Sequence, residues 1–363
     1  MTLRRLLLVG TLVSVGLVAA VVATACLTSG CSTIGYYGQA IGGHLDLLTR
    51  ARPVPQWLAD PATPQALRAR LELSQRLRVF AVSELKLPDN RSYRSYADLG
   101  RTAAVWNVVA APELSLQLKT WCFAMMGCVG YRGYFDRAGA DALAAELKRQ
   151  GWEVSVYGVP AYSTLGWTDW LGGDPLLNTF LNWPEGELAR LVFHELAHQV
   201  VYVADDTMFN ESFATAVERL GGRRWLETQA GEAARREYAQ LEERRRDFRA
   251  VTLRHRERLR AVYEGPGSDD DKRRGKAAAQ QQLRDEIAVL KDGRWAGYTG
   301  YDAWFAAANN ASYGVQAAYD ELVPAFERLF EAEGRDFPRF YEAVRRLAAL
   351  PRDQRRATLA AAR

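Results

Sequence analysis

Leu191-Val192-Phe193-His194-Glu195-Leu196-Ala197-His198-Gln199-Val200-Val201-Tyr202 is the stretch on which the reading of this chain turns. It places two histidines four apart, with a glutamate directly after the first. On a helix, residues four apart lie on one face, one turn above the other. His194 and His198 can then present two imidazole nitrogens to one point, as a tetrahedral zinc ion requires. Glu195 stands on the same turn, where a carboxylate can take a proton from an attacking water. Helix formation fits the surroundings: Pro184 suits a first helical position, Glu185 and Glu187 the first turn, and Leu188, Leu191, Val192 and Leu196 recur at helical spacing. The bland alternative is a buried helix that carries two histidines by chance. The chain holds only 4 histidines (His44, His194, His198 and His255), so this spacing around a glutamate argues against chance.

A catalytic zinc needs a third protein ligand and an open fourth position. Downstream lies Asp205-Asp206-Thr207-Met208-Phe209-Asn210-Glu211-Ser212-Phe213-Ala214, enough chain to end one helix, turn, and start a second alongside it. Asn210-Glu211-Ser212-Phe213-Ala214 resembles the N-E-x-x-A signature of the gluzincin metallopeptidases. That resemblance implies Glu211 as third ligand beside His194 and His198, with Glu195 as general base and one zinc per chain. The spacing is shorter than in thermolysin-like and aminopeptidase-N-like gluzincins, so the turn between the helices must be tighter. Glu218, two helical turns past Glu211, is the rival ligand.

At the N-terminus, Arg4 and Arg5 precede an apolar run from Leu6 to Ala25. A charged start, an apolar core and small residues describe an export signal over residues 1–30; a retained membrane span is the alternative. Leu27-Thr28-Ser29-Gly30-Cys31 resembles a bacterial lipobox with its Leu one place early, which implies Cys31 as the lipidated first residue; Cys26 competes. The expected location is the periplasm, on a lipid anchor in the inner or outer membrane. Residues 31–363 carry 45 basic and 43 acidic side chains, a near-neutral balance that offers no electrostatic case for nucleic acid.

Ser32 to Arg52 reads as a linker and then a helix, and Gln65 to about Leu85 as a longer one. Val105 to Pro112 and Trp152 to Val159 read as strands, with Ala138 to Gln150 as an amphipathic helix between them. Cys122 and Cys128 are a disulfide candidate in an exported chain; free thiols and metal ligands are the alternatives. In gluzincins an edge strand beside the zinc helix binds substrate backbone. The Tyr157–Gly166 segment holds that place in chain order, making Ser163, Thr164, Leu165 and Gly166 substrate-binding candidates; an ordinary edge strand is the alternative.

Wider similarity rests on Gly35-Tyr36-Tyr37-Gly38-Gln39, Trp121-Cys122, Cys128, Tyr131-Arg132-Gly133-Tyr134-Phe135, Tyr162-Ser163-Thr164-Leu165-Gly166-Trp167, Phe209-Asn210-Glu211 and the late Phe305-Ala306-Ala307-Ala308-Asn309-Asn310-Ala311. With the zinc motif, these blocks resemble a bacterial family of predicted aminopeptidases that often carry lipoprotein signals. The resemblance runs over nearly the whole chain. It implies a peptide substrate and aminopeptidase activity.

From Trp225 to Ala261, and again from Lys272 to Leu290, helix formers dense in Glu and Arg flank the turn at Gly265-Pro266-Gly267-Ser268. They read as a long antiparallel helical hairpin with solvated charged faces, since basic and acidic residues are mixed. Tyr298, Tyr301, Tyr313 and Tyr319 are candidates for an oxyanion donor, although packing suits each of them. Pro324 to Leu350 reads as two closing amphipathic helices.

The expectation is an α+β, predominantly helical fold: a gluzincin-like zinc-helix pair, a small sheet and the hairpin. Its expected parts are a signal (1–30), a tether and first helix (31–63), a metallopeptidase core (64–225), the hairpin (226–294) and a C-terminal helical part (295–363). The expected activity is zinc-dependent peptide hydrolysis by an aminopeptidase. No match to the G-A-M-E-N amine-binding motif of aminopeptidase N is present, so an endopeptidase stays open, as does a zinc-stabilised scaffold without turnover. Oligomeric state is not legible.

Overall fold

The structure, a computed structural model, describes residues 31–123, 127–161, 173–204 and 206–361. Residues 1–30, the expected export signal, and the substrate-binding candidates Ser163, Thr164, Leu165 and Gly166 lie outside the described residues. Helix α1 (Cys31–Arg50) belongs to a separate unit and is described by itself. It is helical from Cys31 onward, so the linker expected to begin at Ser32 is part of the helix; the Cys31 side chain is outside the described residues. Asp46 and Arg50 pair one turn apart, 2.9 Å between oxygen and nitrogen. No helix among the described residues is long and apolar enough to cross a membrane.

Residues 51–363 form one compact unit. It begins with β1 (Arg52–Pro53), α2 (Val54–Ala59), α3 (Gln65–Ser83), β2 (Ser95–Ala97) and β3 (Val105–Pro112). Next come β4 (Trp121–Phe123), β5 (Gly127–Val129), β6 (Arg132–Tyr134), α4 (Arg137–Arg149), β7 (Trp152–Val159) and β8 (Leu176–Leu177). The remainder is helical: α5 (Glu185–His198), α6 (Thr207–Thr228), α7 (Glu232–Glu264), α8 (Asp269–Asp292) and α9 (Asp302–Ala307). It closes with α10 (Asn310–Asp320), α11 (Val323–Ala332), α12 (Phe337–Ala348) and α13 (Arg352–Ala360). The chain is thus predominantly helical with small sheets, an α+β fold.

Local chemistry sets the helix ends. Pro64 and Pro184 precede α3 and α5, where a fixed φ and a missing N–H suit a helix start. Asp206 caps α6 by accepting from Phe209 N, and Ser268 caps α8 in a reciprocal box with Asp271. The charged run expected to start at Trp225 breaks between Thr228 and Glu232, because the segment through Gly231 leaves helical geometry. Helix α13 was not expected from the sequence.

Two three-stranded sheets and one ribbon carry the strands. One sheet has the order β1-β2-β8, the other β6-β3-β7 with both neighbours antiparallel to β3. β4 and β5 pair as a ribbon in which Cys122 faces Cys128, and the two are disulfide-bonded. Strand alternation sends Val108, Ala110 and Val154 to one face of the β6-β3-β7 sheet, against Ala140, Ala144 and Leu147 of α4. Val109 and Ala111 take the other face, where Ala311 of α10 packs with Tyr157 and Val315. Helix α10 also contacts α6, so the Tyr157 face of the sheet looks toward the helical core.

Helix α5 is the centre of that core. Phe193 stacks on Phe80 of α3 at 5.9 Å, and Phe80 meets the Trp225 ring of α6 edge-on at 5.1 Å. Helices α5 and α6 come close because α6 carries two glycines: a Cβ on Gly221 would lie 2.5 Å from Leu85 and 3.0 Å from Phe193. Nearer its start, α6 presents Phe209 and Phe213 to Phe326, and Phe213 further to Phe340 and Tyr341. Helices α7 and α8 contact in opposite chain order, Val262 against Gly275 and then Arg254 and Arg258 against Glu286. Between them Val251, Leu259, Leu283, Trp295 and Tyr313 are fully buried.

Candidate metal centre

The two histidines come from the last turns of α5, and Glu211 from the start of the second turn of α6. The chain from Gln199 to Asp206 must therefore reverse direction tightly. Asn210 closes that reversal: its side-chain oxygen accepts from Val203 N at 2.8 Å and its amide donates to Val203 O at 2.7 Å. A single buried side chain satisfies both backbone groups of one turn residue, as the backbone of a loop requires. Asp206, the cap of α6, is held from the C-terminal side by Arg355 at 2.5 Å and Arg356 at 3.2 Å.

Three donor atoms converge as a result. His194 Nε2 lies 3.1 Å from His198 Nε2 and 3.3 Å from Glu211 Oε2, and His198 Nε2 lies 3.6 Å from the same oxygen. Ligands about 2.0–2.1 Å from a tetrahedral ion stand about 3.3 Å apart, and the three separations bracket that value. Glu218 meets the other nitrogen of His194: Nδ1 donates to Glu218 Oε2 at 2.8 Å. The rival ligand thus occupies the far side of the ring. It fixes the tautomer that leaves the Nε2 lone pair facing the centre.

The electrostatics agree with the donor set. Burial alone would lower the His194 imidazolium, yet Glu211 and Glu218 more than offset it and hold it well above its ordinary value. Burial alone would raise the carboxyl of Glu211, yet His198 and His194 pull it far below the ordinary range. Glu218 is brought down to about 2 against its burial, chiefly by Arg190 and then by His194. The raised His194 value says that positive charge is favoured at the ring, and the lowered carboxyls say that Glu211 and Glu218 are held ionised beside it. The donor set, two imidazole nitrogens and a carboxylate oxygen, fits zinc.

Glu195, half-buried on the same helix, feels His194, His198, Glu211 and Glu218. Burial raises its carboxyl above the ordinary value, and the two neighbouring carboxylates add to the rise while the histidines oppose it. Two tyrosines that the sequence did not single out stand nearby. The Tyr157 hydroxyl of β7 is pushed up to about 12, first by burial and further by the charge of Glu211, while Asn107 Nδ2 donates to it at 3.5 Å. Tyr93 is buried, feels Glu195, and sits in a left-handed backbone conformation, φ 64°. The alternation of the strand at 152–159 was the one sequence signal for Tyr157.

The tyrosines named from the sequence lie elsewhere. Tyr298, Tyr301 and Tyr313 pack in the cluster between α7 and α8, around Trp295, Phe248, Trp304 and His255. Among the described residues none of their contacts reaches His194, Glu195, His198 or Glu211, because burial of their rings in that cluster places them there. Tyr319 lies within α10, and its side chain is outside the described residues.

No curated protein and no solved structure matches the chain. A family model described as "Putative aminopeptidase" matches residues 35–359, nearly the whole sequence, including His194, Glu195, His198 and Glu211. The chain belongs to that family.

Proposed function

We propose that this chain is a zinc-dependent peptide hydrolase, an aminopeptidase, in which His194, His198 and Glu211 hold one zinc ion and Glu195 is the general base. The observation that carries this reading is the convergence of two imidazole nitrogens and one carboxylate oxygen at 3.1, 3.3 and 3.6 Å. When bound, zinc supplies Lewis acidity, polarising the scissile carbonyl and lowering the pKa of water toward about 7. Glu195 takes the proton of the attacking water and then hands it to the leaving amine; its raised pKa suits both tasks. Glu218 orients the His194 ring. Tyr157, beside Glu211, donates a hydrogen bond to the oxygen of the tetrahedral intermediate as charge develops there.

Helices α5 and α6 would correspond to the gluzincin helix pair, with the shorter turn closed by Asn210. β7 is an edge strand of its sheet, which supports a peptide substrate laid along it as an added strand. Arg4, Arg5, the apolar run and Leu27–Cys31 support export and a lipid anchor at Cys31, with the catalytic unit in the periplasm.

The test is cleavage of a mixed peptide library by the zinc-loaded wild type and Glu195→Gln. Release of single N-terminal residues by wild type, falling about 10²–10⁴-fold in Glu195→Gln with zinc retained, is the expected result. Internal cleavage would move the chain to the endopeptidases. Stoichiometric zinc with no cleavage of any peptide would leave a scaffold.

A further inference from the structure

Arg190 lies one turn before His194 on α5, and its side chain is only 8% exposed. A guanidinium at that depth must be paired, so its partners define what it does. Its Nε donates to Glu218 Oε1 at 3.0 Å and its Nη2 donates to the same oxygen. Its Nη1 donates to Glu242 Oε2 of α7 at 3.2 Å. Glu218 gives its other oxygen to His194 Nδ1. Glu242 in turn accepts from Arg245 and Arg249, each at 2.6 Å, and Arg245 also holds Glu187 of α5 at 2.5 Å. Three guanidiniums and three carboxylates from three helices thus balance one another.

Two glycines make room for this arrangement. A Cβ on Gly222 of α6 would lie 2.9 Å from Arg190 Cγ, so the stem of Arg190 rests on bare backbone there. A Cβ on Gly186 of α5 would lie 2.5 Å from the ring of Tyr238, the α7 residue whose face covers the guanidinium at 5.9 Å.

We infer that Arg190 is a positioning residue for the metal centre: it fixes Glu218, Glu218 fixes the His194 ring, and Glu242 ties this relay to α7. The inference rests on the zinc reading above. A carboxylate held at one oxygen by a planar fork presents its other oxygen in a set direction; freed, it turns and lets the imidazole turn with it. Lysine, a single point charge, does not span Glu218 and Glu242 in the same way. By this route the long charged α7 serves the metal centre without contributing a ligand.

Zinc affinity by chelator competition, with the visible spectrum of the Co²⁺-loaded protein, tests the relay on the full-length chain. The variants are Arg190→Met, Arg190→Lys, Glu242→Gln, Glu218→Ala and the double variant Arg190→Met/Glu218→Ala. Glu218→Ala and Arg190→Met are each expected to weaken zinc about 10–100-fold and to shift the Co²⁺ bands. Arg190→Lys recovers part of the loss, and Glu242→Gln gives a smaller loss than Arg190→Met. Because Arg190 acts through Glu218, the double variant binds no more weakly than Glu218→Ala alone. Losses that multiply in the double variant, or wild-type affinity in Arg190→Met, overturn the relay. Should Arg190→Met fail to fold, wild-type affinity and an unshifted Co²⁺ spectrum in Glu242→Gln overturn it equally. A wild type that takes up no zinc overturns the reading beneath.

Discussion

Replacing Asn210 by alanine removes the clamp that closes the turn between α5 and α6. Two hydrogen bonds disappear, from Val203 N at 2.8 Å and to Val203 O at 2.7 Å. Each is worth about 1 kcal/mol net, and a polar group left buried without a partner costs about 1–3 kcal/mol more. Val203 is half-buried, so water re-solvates it in part and the lower end applies. Asn210→Ala should therefore destabilise the metal-free protein by about 2–3 kcal/mol. Asn210→Asp is the sharper probe. It keeps an acceptor for Val203 N but turns a second carboxylate oxygen toward Val203 O, so it loses one bond and gains a repulsion; its loss should be no smaller than about 1 kcal/mol. Glu211 is the next residue, so a loosened turn should also weaken zinc by about tenfold, or about 1.4 kcal/mol. Urea unfolding followed by tryptophan fluorescence, in chelator, measures the first effect, and chelator competition the second. A loss under about 0.5 kcal/mol for Asn210→Ala, or Asn210→Asp as stable as wild type, would refute the reasoning.

Tyr157→Phe removes one hydroxyl from beside Glu211, and kcat should fall about 10²–10³-fold with KM and zinc content little changed; an unchanged kcat sinks the oxyanion role. His255 is fully buried beside Tyr313, and burial first, then the charge of Arg258, brings its imidazolium down to about 4. The unfolded chain therefore binds a proton there from about pH 6.5 downward while the folded chain stays neutral to about pH 4. Stability should fall as pH drops through that window, by up to about 3 kcal/mol, and His255→Phe should flatten the slope; an identical slope in that variant counts against it.

The convergence of His194 and His198 was legible because helical spacing converts sequence separation into position: four residues put both on one face. Strands 105–112 and 152–159 were legible for the matching reason, alternation with β-branched and aromatic residues. Glu218 was visible but ambiguous, since its spacing from Glu211 suits either a ligand or a partner; the choice between the two nitrogens of His194 depends on how α5 and α6 cross. Arg190 and Glu242 meet through contacts made only once α5, α6 and α7 assemble, and no local pattern encodes such contacts; Asn210 stood inside the Asn210–Ala214 signature, but its clamp on Val203 follows from the turn geometry. Tyr298, Tyr301 and Tyr313 were drawn from chain order, but their rings serve the α7–α8 cluster. Tyr157 stood at the head of the Tyr157–Gly166 segment but had no role of its own, because the antiparallel pairing of β7 with β3 and the placement of α10 decide which way that face looks.

The most direct test of the zinc centre is metal stoichiometry by elemental analysis of the purified full-length chain, with His198→Ala and Glu211→Ala alongside. One zinc per wild-type chain, lost from both variants while their folds persist by circular dichroism, is the predicted result. Zinc retained at full occupancy in Glu211→Ala, or a wild type that binds none after loading, would contradict it.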